Sequence, residues 1–127
     1  MRIDKIEVCR LDLPFKEQMR VSFGVIPMAR DILVRIYSDE GPAGISTATP
    51  VPYYLGQTQD TLLAAARFLA PLILGRDPFD IEAANHLMDR ALGGNQPAKA
   101  AFDMALYDLI GKAAGRPIHD FLGGKVQ

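Results

Sequence analysis

The hydrophobic period of this chain changes once, near residue 58, and that switch limits what it can fold into. Before it, apolar side chains alternate with polar ones; after it they recur at three- and four-residue spacing. Alternation turns one face of a strand toward a core, and 3-4 spacing turns one stripe of a helix toward it. Strands first and helices afterwards is the order of an α+β domain, with helices packed on one face of an antiparallel sheet. The expected division is an antiparallel sheet over residues 1–50, helices over 58–95, and a last helix with a C-terminal hook over 96–127. The 127 residues, 49% of them hydrophobic, suffice for one domain with a real core.

In the strand half, residues 3–13 read as a first strand. Ile6 and Val8 lie on one phase, and Cys9, Leu11 and Leu13 on the other. That phase change predicts a bulge or a strand covered on both faces. Pro14 is expected to end it. Residues 15–27 are bounded by prolines and carry Gly24, which predicts a loop with room for a short strand at 20–23. Residues 29–38 alternate clearly, with Ile32, Val34 and Ile36 on one side and Asp31, Leu33, Arg35 and Tyr37 on the other. Asp39-Glu40-Gly41 is a turn, and residues 43–49 form the return strand, weakened by Gly44. The three strands make a meander.

In the helical half, residues 60–74 place Leu62, Leu63, Ala66, Leu69, Ala70 and Ile73 on one stripe. Pro71 should bend or end this helix. Asp77-Pro78 reads as the N-cap and first position of the next, with Ile81, Ala84, Leu87, Met88, Ala91 and Leu92 as its stripe. Gly93-Gly94 ends it and Asn95 caps the last helix. Asp108 and Lys112 stand in the favourable i,i+4 order, worth about 0.3 kcal/mol on an exposed face.

Composition excludes several functions. A net charge of −1 gives no electrostatic case for nucleic acid or an anionic membrane. The apolar runs fall well short of the ~20 residues of a membrane span, and no secretory h-region follows Met1. Cys9 is the sole cysteine, so an internal disulfide is excluded and a cytoplasmic location is expected. Nor do the residues assemble a catalytic set. Asp103 and Asp108 diverge by about 140° around a helix. His86 reads as a helix-surface residue and His119 as one bonded to local backbone, without zinc-type spacing. Ser22, Ser46 and the threonines lack a histidine and acid beside them. No catalytic residue and no metal ligand is assigned.

Residues 98–124, AKAAFDMALYDLIGKAAGRPIHDFLGG, carry a longer signature. Ala98, Ala101, Asp103, Ala105, Leu106, Asp108, Leu109, Gly111, Lys112, Gly115, Pro117, Leu122, Gly123 and Gly124 fit the pattern A-x-x-A-x-D-x-A-L-x-D-L-x-G-K-x-x-G-x-P-[VIL]-x-x-L-L-G-G, with Phe121 in place of the first Leu of L-L-G-G. This resembles the junction of the mandelate racemase/muconate lactonizing branch of the enolase superfamily, where such a helix leads from an N-terminal capping domain into a β/α barrel. The resemblance covers essentially the whole chain and implies a capping domain, with the barrel expected to lie outside these residues.

The resemblance also implies a function. In full-length members, Mg2+ held by barrel carboxylates stabilises an enediolate while barrel bases, commonly lysines, remove the proton α to a carboxylate, giving racemisation, epimerisation, cycloisomerisation or dehydration. This chain is then expected to select substrate and exclude water, with no turnover alone. Its substrate contacts would come from two loops: Met19, Arg20, Phe23, Val25 and Ile26 in the first, Tyr53 and Tyr54 in the second. The same side chains could instead cover the sheet or the first helix. One departure is Ser46-Thr47, where many members carry Gly-Glu in a G-x-G-E-A strand. A rival from another class is a stand-alone, self-associating module that buries the apolar hook of Ile118, Phe121 and Leu122 against a second copy. A third is a small helix–sheet protein with an unrelated ligand pocket.

Overall fold

Ile32, Val34 and Ile36 form the fully buried row that the alternation implies, on the middle strand of a three-stranded antiparallel sheet. The computed structural model describes the backbone of residues 1–21 and 24–126, and the side chains of all of these except 18–21 and 25–27. The sheet is a meander in the order β1 (Ile3–Val21), β2 (Gly24–Ser38), β3 (Ala43–Ala48). Four α-helices follow: α1 (Pro52–Leu55), α2 (Gln59–Ile73), α3 (Ile81–Ala91) and α4 (Gln96–Ala114), then a 3-10 turn at Ile118–Phe121. This is the expected α+β architecture.

The strands depart from expectation at Pro14. β1 does not end there; it continues to Val21, and within the segment expected to be a loop Met19, Arg20 and Val21 pair with Ile26, Val25 and Gly24. Pro14 pairs with Met28 and the next pair is Met19 with Ile26, so residues 15–18 on β1 stand against residue 27 alone on β2. A proline lacks the N–H a ladder needs, but edge strands and bulges tolerate it. β1 is an edge strand, and β3 reaches β2 no further than Ile32, so both Pro14 and Pro27 sit where no inner ladder is broken. No bulge interrupts the register from Lys5 to Pro14. The second phase of β1 is not covered either: Cys9 and Leu13 are exposed on the face away from the helices.

The helices bury their expected stripes. Leu62, Leu63, Ala66, Leu69 and Ile73 of α2 and Ile81, Ala84 and Met88 of α3 are buried, while Leu87 is half-buried and Ala91 exposed. α2 opens on a reciprocal capping box between Thr58 and Thr61. Pro71 does not end α2, which runs on to Ile73, because its missing donor falls in the exposed last turn. Asp77 is not the cap of α3. Its Oδ1 accepts from the Phe79 N–H at 2.9 Å, forming a turn, and α3 begins only at Ile81. Aspartate bonds its own backbone two residues on as readily as it starts a helix. Asn95 occupies the N-cap position of α4 in a left-handed conformation, φ 54°, and its side chain donates to the Gly93 carbonyl rather than capping the helix.

α4 is the spine of the core. Ala98, Ala101, Phe102, Ala105, Leu106 and Leu109 have no exposed surface and join residues of the sheet, α2 and α3 in one cluster. Its small residues admit close approach to β3, and Gly44 completes it. A Cβ at position 44 would collide with the Ala105 carbonyl oxygen and lie 2.7 Å from the Leu109 nitrogen. α4 closes on Gly115 in the left-handed region, with the Arg116 N–H bonded to the Gly111 carbonyl at 3.0 Å.

Candidate functional site

Beyond Ile32 the sheet narrows to two strands. Residues 24–31 of β2 pair only with β1 and extend as an arm past the end of β3. Chain connectivity puts α1 at the root of this arm, since Ala48, the last residue of β3, pairs with Ile32. Pro52 at the first turn and Gly56 at φ 65°, donating its N–H to the Pro52 carbonyl, define this single-turn helix. Tyr53 and Tyr54 on it are 67% and 78% exposed.

Of the first loop's candidates, Met19 pairs with Ile26 and Arg20 with Val25 in the arm's ladder. Their side chains lie outside the described residues, as do Ser22 and Phe23 altogether. The arm and α1 therefore share one end of the sheet by backbone topology.

Side chains that sequence reasoning passed over fasten this end. Gln59 Nε2 bonds both Asp12 Oδ1 at 2.8 Å and the Asp31 carbonyl at 2.9 Å, tying the arm's root to the start of α2. Arg10 and Asp60 add an exposed ion pair at 2.8 Å across β1 and α2. Gln57, 8% exposed, donates to Asn95 Oδ1 at 3.4 Å, joining the residues after α1 to the start of α4. Asp31 Oδ1 and Gln57 Oε1 are buried without a hydrogen-bond partner among the described residues. Nothing in the local pattern singles these residues out, because each acts through a partner far along the chain.

The chemistry on offer is recognition rather than bond-making. His86 is exposed. The His119 ring lies 3.5 Å from Asp120, which Arg116 also engages at 3.1 Å, and the His119 carbonyl accepts from the Leu122 and Gly124 N–H groups. Asp103 is held by Asn85 at 2.9 Å and Asp108 by Lys112 at 2.8 Å. The displaced titrations sit elsewhere, on the sheet face turned from the helices. There a hydrogen bond from Lys5 draws the Glu7 carboxyl below its ordinary value, and the same bond raises Lys5. Among the described residues no three of His, Cys, Asp and Glu converge as metal ligands, so these side chains do not fit a divalent cation.

A second surface feature lies against β3. Ile45, Met104, Tyr107, Ile118 and Leu122 line an open, largely apolar groove of about 670 Å³. Phe121 packs against the core, while Ile118 and Leu122 of the hook remain exposed. No helix among the described residues is long and apolar enough to cross a membrane.

Known proteins match this geometry along its whole length. The family described as mandelate racemase / muconate lactonizing enzyme, N-terminal domain, matches residues 5–123. A D-Ala-D/L-Ala epimerase of Cytophaga hutchinsonii is 34% identical over 125 residues, covering 98% of this chain and 34% of that protein. A chloromuconate cycloisomerase of Cupriavidus pinatubonensis is 37% identical over 130 residues, covering all of this chain and 35% of that one. Among solved structures, the Cytophaga hutchinsonii dipeptide epimerase complexed with Mg and D-Ala-L-Val superposes with a TM-score of 0.93 at 34% identity, over 100% of this chain and 34% of that one. The N-succinyl Arg/Lys racemase of Bacillus cereus gives 0.95 at 27% identity, over 100% and 35%. The chain thus spans about a third of the length of the curated relatives it matches.

Proposed function

Since the chain belongs to the mandelate racemase/muconate lactonizing enzyme family through that family's N-terminal domain, we propose that it caps the active site of a Mg2+-dependent enolase-superfamily enzyme and selects its substrate. The reaction class is abstraction of the proton α to a carboxylate, with racemisation, epimerisation, cycloisomerisation or dehydration as the outcome. The observation that carries this reading is coverage: the match spans residues 5–123 here but only about a third of each relative. The chemistry then belongs to the other two thirds, and no three of His, Cys, Asp and Glu converge as metal ligands among the described residues.

What this chain contributes is the arm and α1. Met19, Arg20, Val25 and Ile26 on the arm, Phe23 between them in the chain, and Tyr53 and Tyr54 on α1 would shape the mouth of the site. Arg20 would meet a substrate carboxylate, and the apolar groups would keep water from the reacting carbon. The relatives' substrates include dipeptides and chloromuconate, both small carboxylates. An unpaired, exposed Cys9 suits the thiol-reducing cytoplasm.

The test is α-proton exchange in D2O with Mg2+, followed by NMR across dipeptides, N-acylated amino acids and muconates. Exchange is expected from this chain joined to a family barrel and not from the 127 residues alone. Robust exchange by the pure 127-residue chain would overturn the division of labour. The exposed hook and groove favour a second reading, self-association of the chain through Ile118 and Leu122. A strictly monomeric chain at high concentration in sedimentation counts against it.

A further inference from the structure

β3 is the open edge of the sheet, and edge strands present unpaired backbone groups that another strand can bind. The Ser38 N–H bonds the Pro42 carbonyl at 3.0 Å, and antiparallel ladders alternate. Residues 42, 44, 46 and 48 therefore turn their backbone groups toward β2, while Ala43, Ile45 and Thr47 turn theirs outward. Two of those outward groups are already engaged by α4. Asp108 Oδ2 accepts from the Ile45 N–H at 2.9 Å, and Lys112 Nζ donates to the Ala43 carbonyl at 3.0 Å. The two side chains also bond each other at 2.8 Å. One acceptor and one donor, a helical turn apart, supply what the backbone of an added strand would supply. Gly44, between the two capped residues, is what allows a helix to lie this close.

We propose that Asp108 and Lys112 form an edge clamp: a side-chain substitute for a fourth strand that closes β3 to strand addition by a second copy of this chain and fixes α4 to the sheet. Read as a surface ion pair alone, the two residues would still serve in the reverse order, only slightly less well. As a clamp they would not, because the N–H at Ile45 requires an acceptor and the carbonyl at Ala43 a donor.

The order-swapped variant D108K/K112D separates these roles. It keeps an i,i+4 ion pair but turns a donor toward the Ile45 N–H and an acceptor toward the Ala43 carbonyl. Hydrogen exchange read by NMR should show the Ile45 amide about tenfold faster in the swap, the effect of one lost hydrogen bond, with core amides of α2 unchanged. Sedimentation should show concentration-dependent association beyond wild type, and I45P added to the swap should abolish it by removing the N–H that a new strand would use. Wild-type exchange at Ile45, unchanged association, or association that survives I45P each overturns the clamp. Where the swap does not fold, D108N against D108A decides: the amide oxygen of D108N still accepts, so Ile45 should stay protected in D108N and not in D108A, and equal exchange in the two overturns the proposal. None of these outcomes depends on the capping function.

Discussion

Gly44 shows how a single residue is read one way in sequence and another in space. As a member of an alternating run, it is a weak point in the return strand. In the fold it is the place where β3 and α4 meet backbone to backbone, and the collision of a Cβ with the Ala105 carbonyl explains why no side chain stands there. Its partner lies sixty residues away, which no local pattern can express. Substituting G44A should therefore destabilise the chain by about 3 kcal/mol, at the upper end for overpacking because the obstacle is backbone. Urea melts check this, and a loss below about 1 kcal/mol would mean that α4 moves away at little cost. The Lys5–Glu7 pair makes a different residue-scale point. Its hydrogen bond, 3.0 Å long, lowers the carboxyl and raises the ammonium. A lowered carboxyl contributes stability above its unfolded value and loses it as pH falls through the folded value. A raised lysine contributes below its unfolded value and loses it as pH rises through the folded one. Carboxyl-detected NMR titration should find Glu7 below an ordinary glutamate, returning to the ordinary range in K5M. Because both groups are solvated, the melting temperature should barely move.

At the scale of elements, legibility followed the length and regularity of the pattern. β2 and the stripes of α2 and α3 were readable because burial and period coincide there. The start of α3 was not, because Asp77 can bond the Phe79 N–H locally, and that local bond is as available as a helix cap. The arm was hidden by prolines: Pro14 and Pro27 are strand breakers only where an inner ladder needs their donors, and here both lie at edges. The helix start that does bear weight is the Thr58–Thr61 box. Replacing Thr58 with alanine should cost about 1 kcal/mol and fray the first turn of α2, with faster exchange at the Thr61 amide. Fraying matters for the site, since Gln59 in that turn anchors the arm's root through Asp12 and Asp31. The candidate site was legible only as two loops; that they share one end of the sheet follows from the register of Ile32 with Ala48. In a barrel-joined enzyme, Y53A and Y54A should raise KM about tenfold, roughly 1.4 kcal/mol of binding, with a smaller change in kcat. The reverse split would assign the tyrosines to the chemical step.

For the whole molecule, the question is whether the sheet and the helices are one cooperative unit or two. The core answers it by composition: Ile32, Val34 and Ile36 from β2, Leu62 and Leu69 from α2, Met88 from α3 and Phe102, Leu106 and Leu109 from α4 belong to one buried cluster. α4 touches every part of it, so opening the sheet from the helices would expose the same surface as unfolding either. A chain of this size with a shared core should unfold in a single transition. Phe102, fully buried at the centre, is the residue with which to test it. F102A should lose about 4 kcal/mol, the usual range for a large aromatic removed from a core. The loss should be the same by helical circular dichroism and by the fluorescence of Tyr37, on the far face of β2, read in a Y53F/Y54F/Y107F background where it is the sole tyrosine. Equal shifts in both probes require that sheet and helices melt together. If the helical signal shifts while the Tyr37 signal holds, the sheet is stable without α4 and the two parts unfold in separate steps.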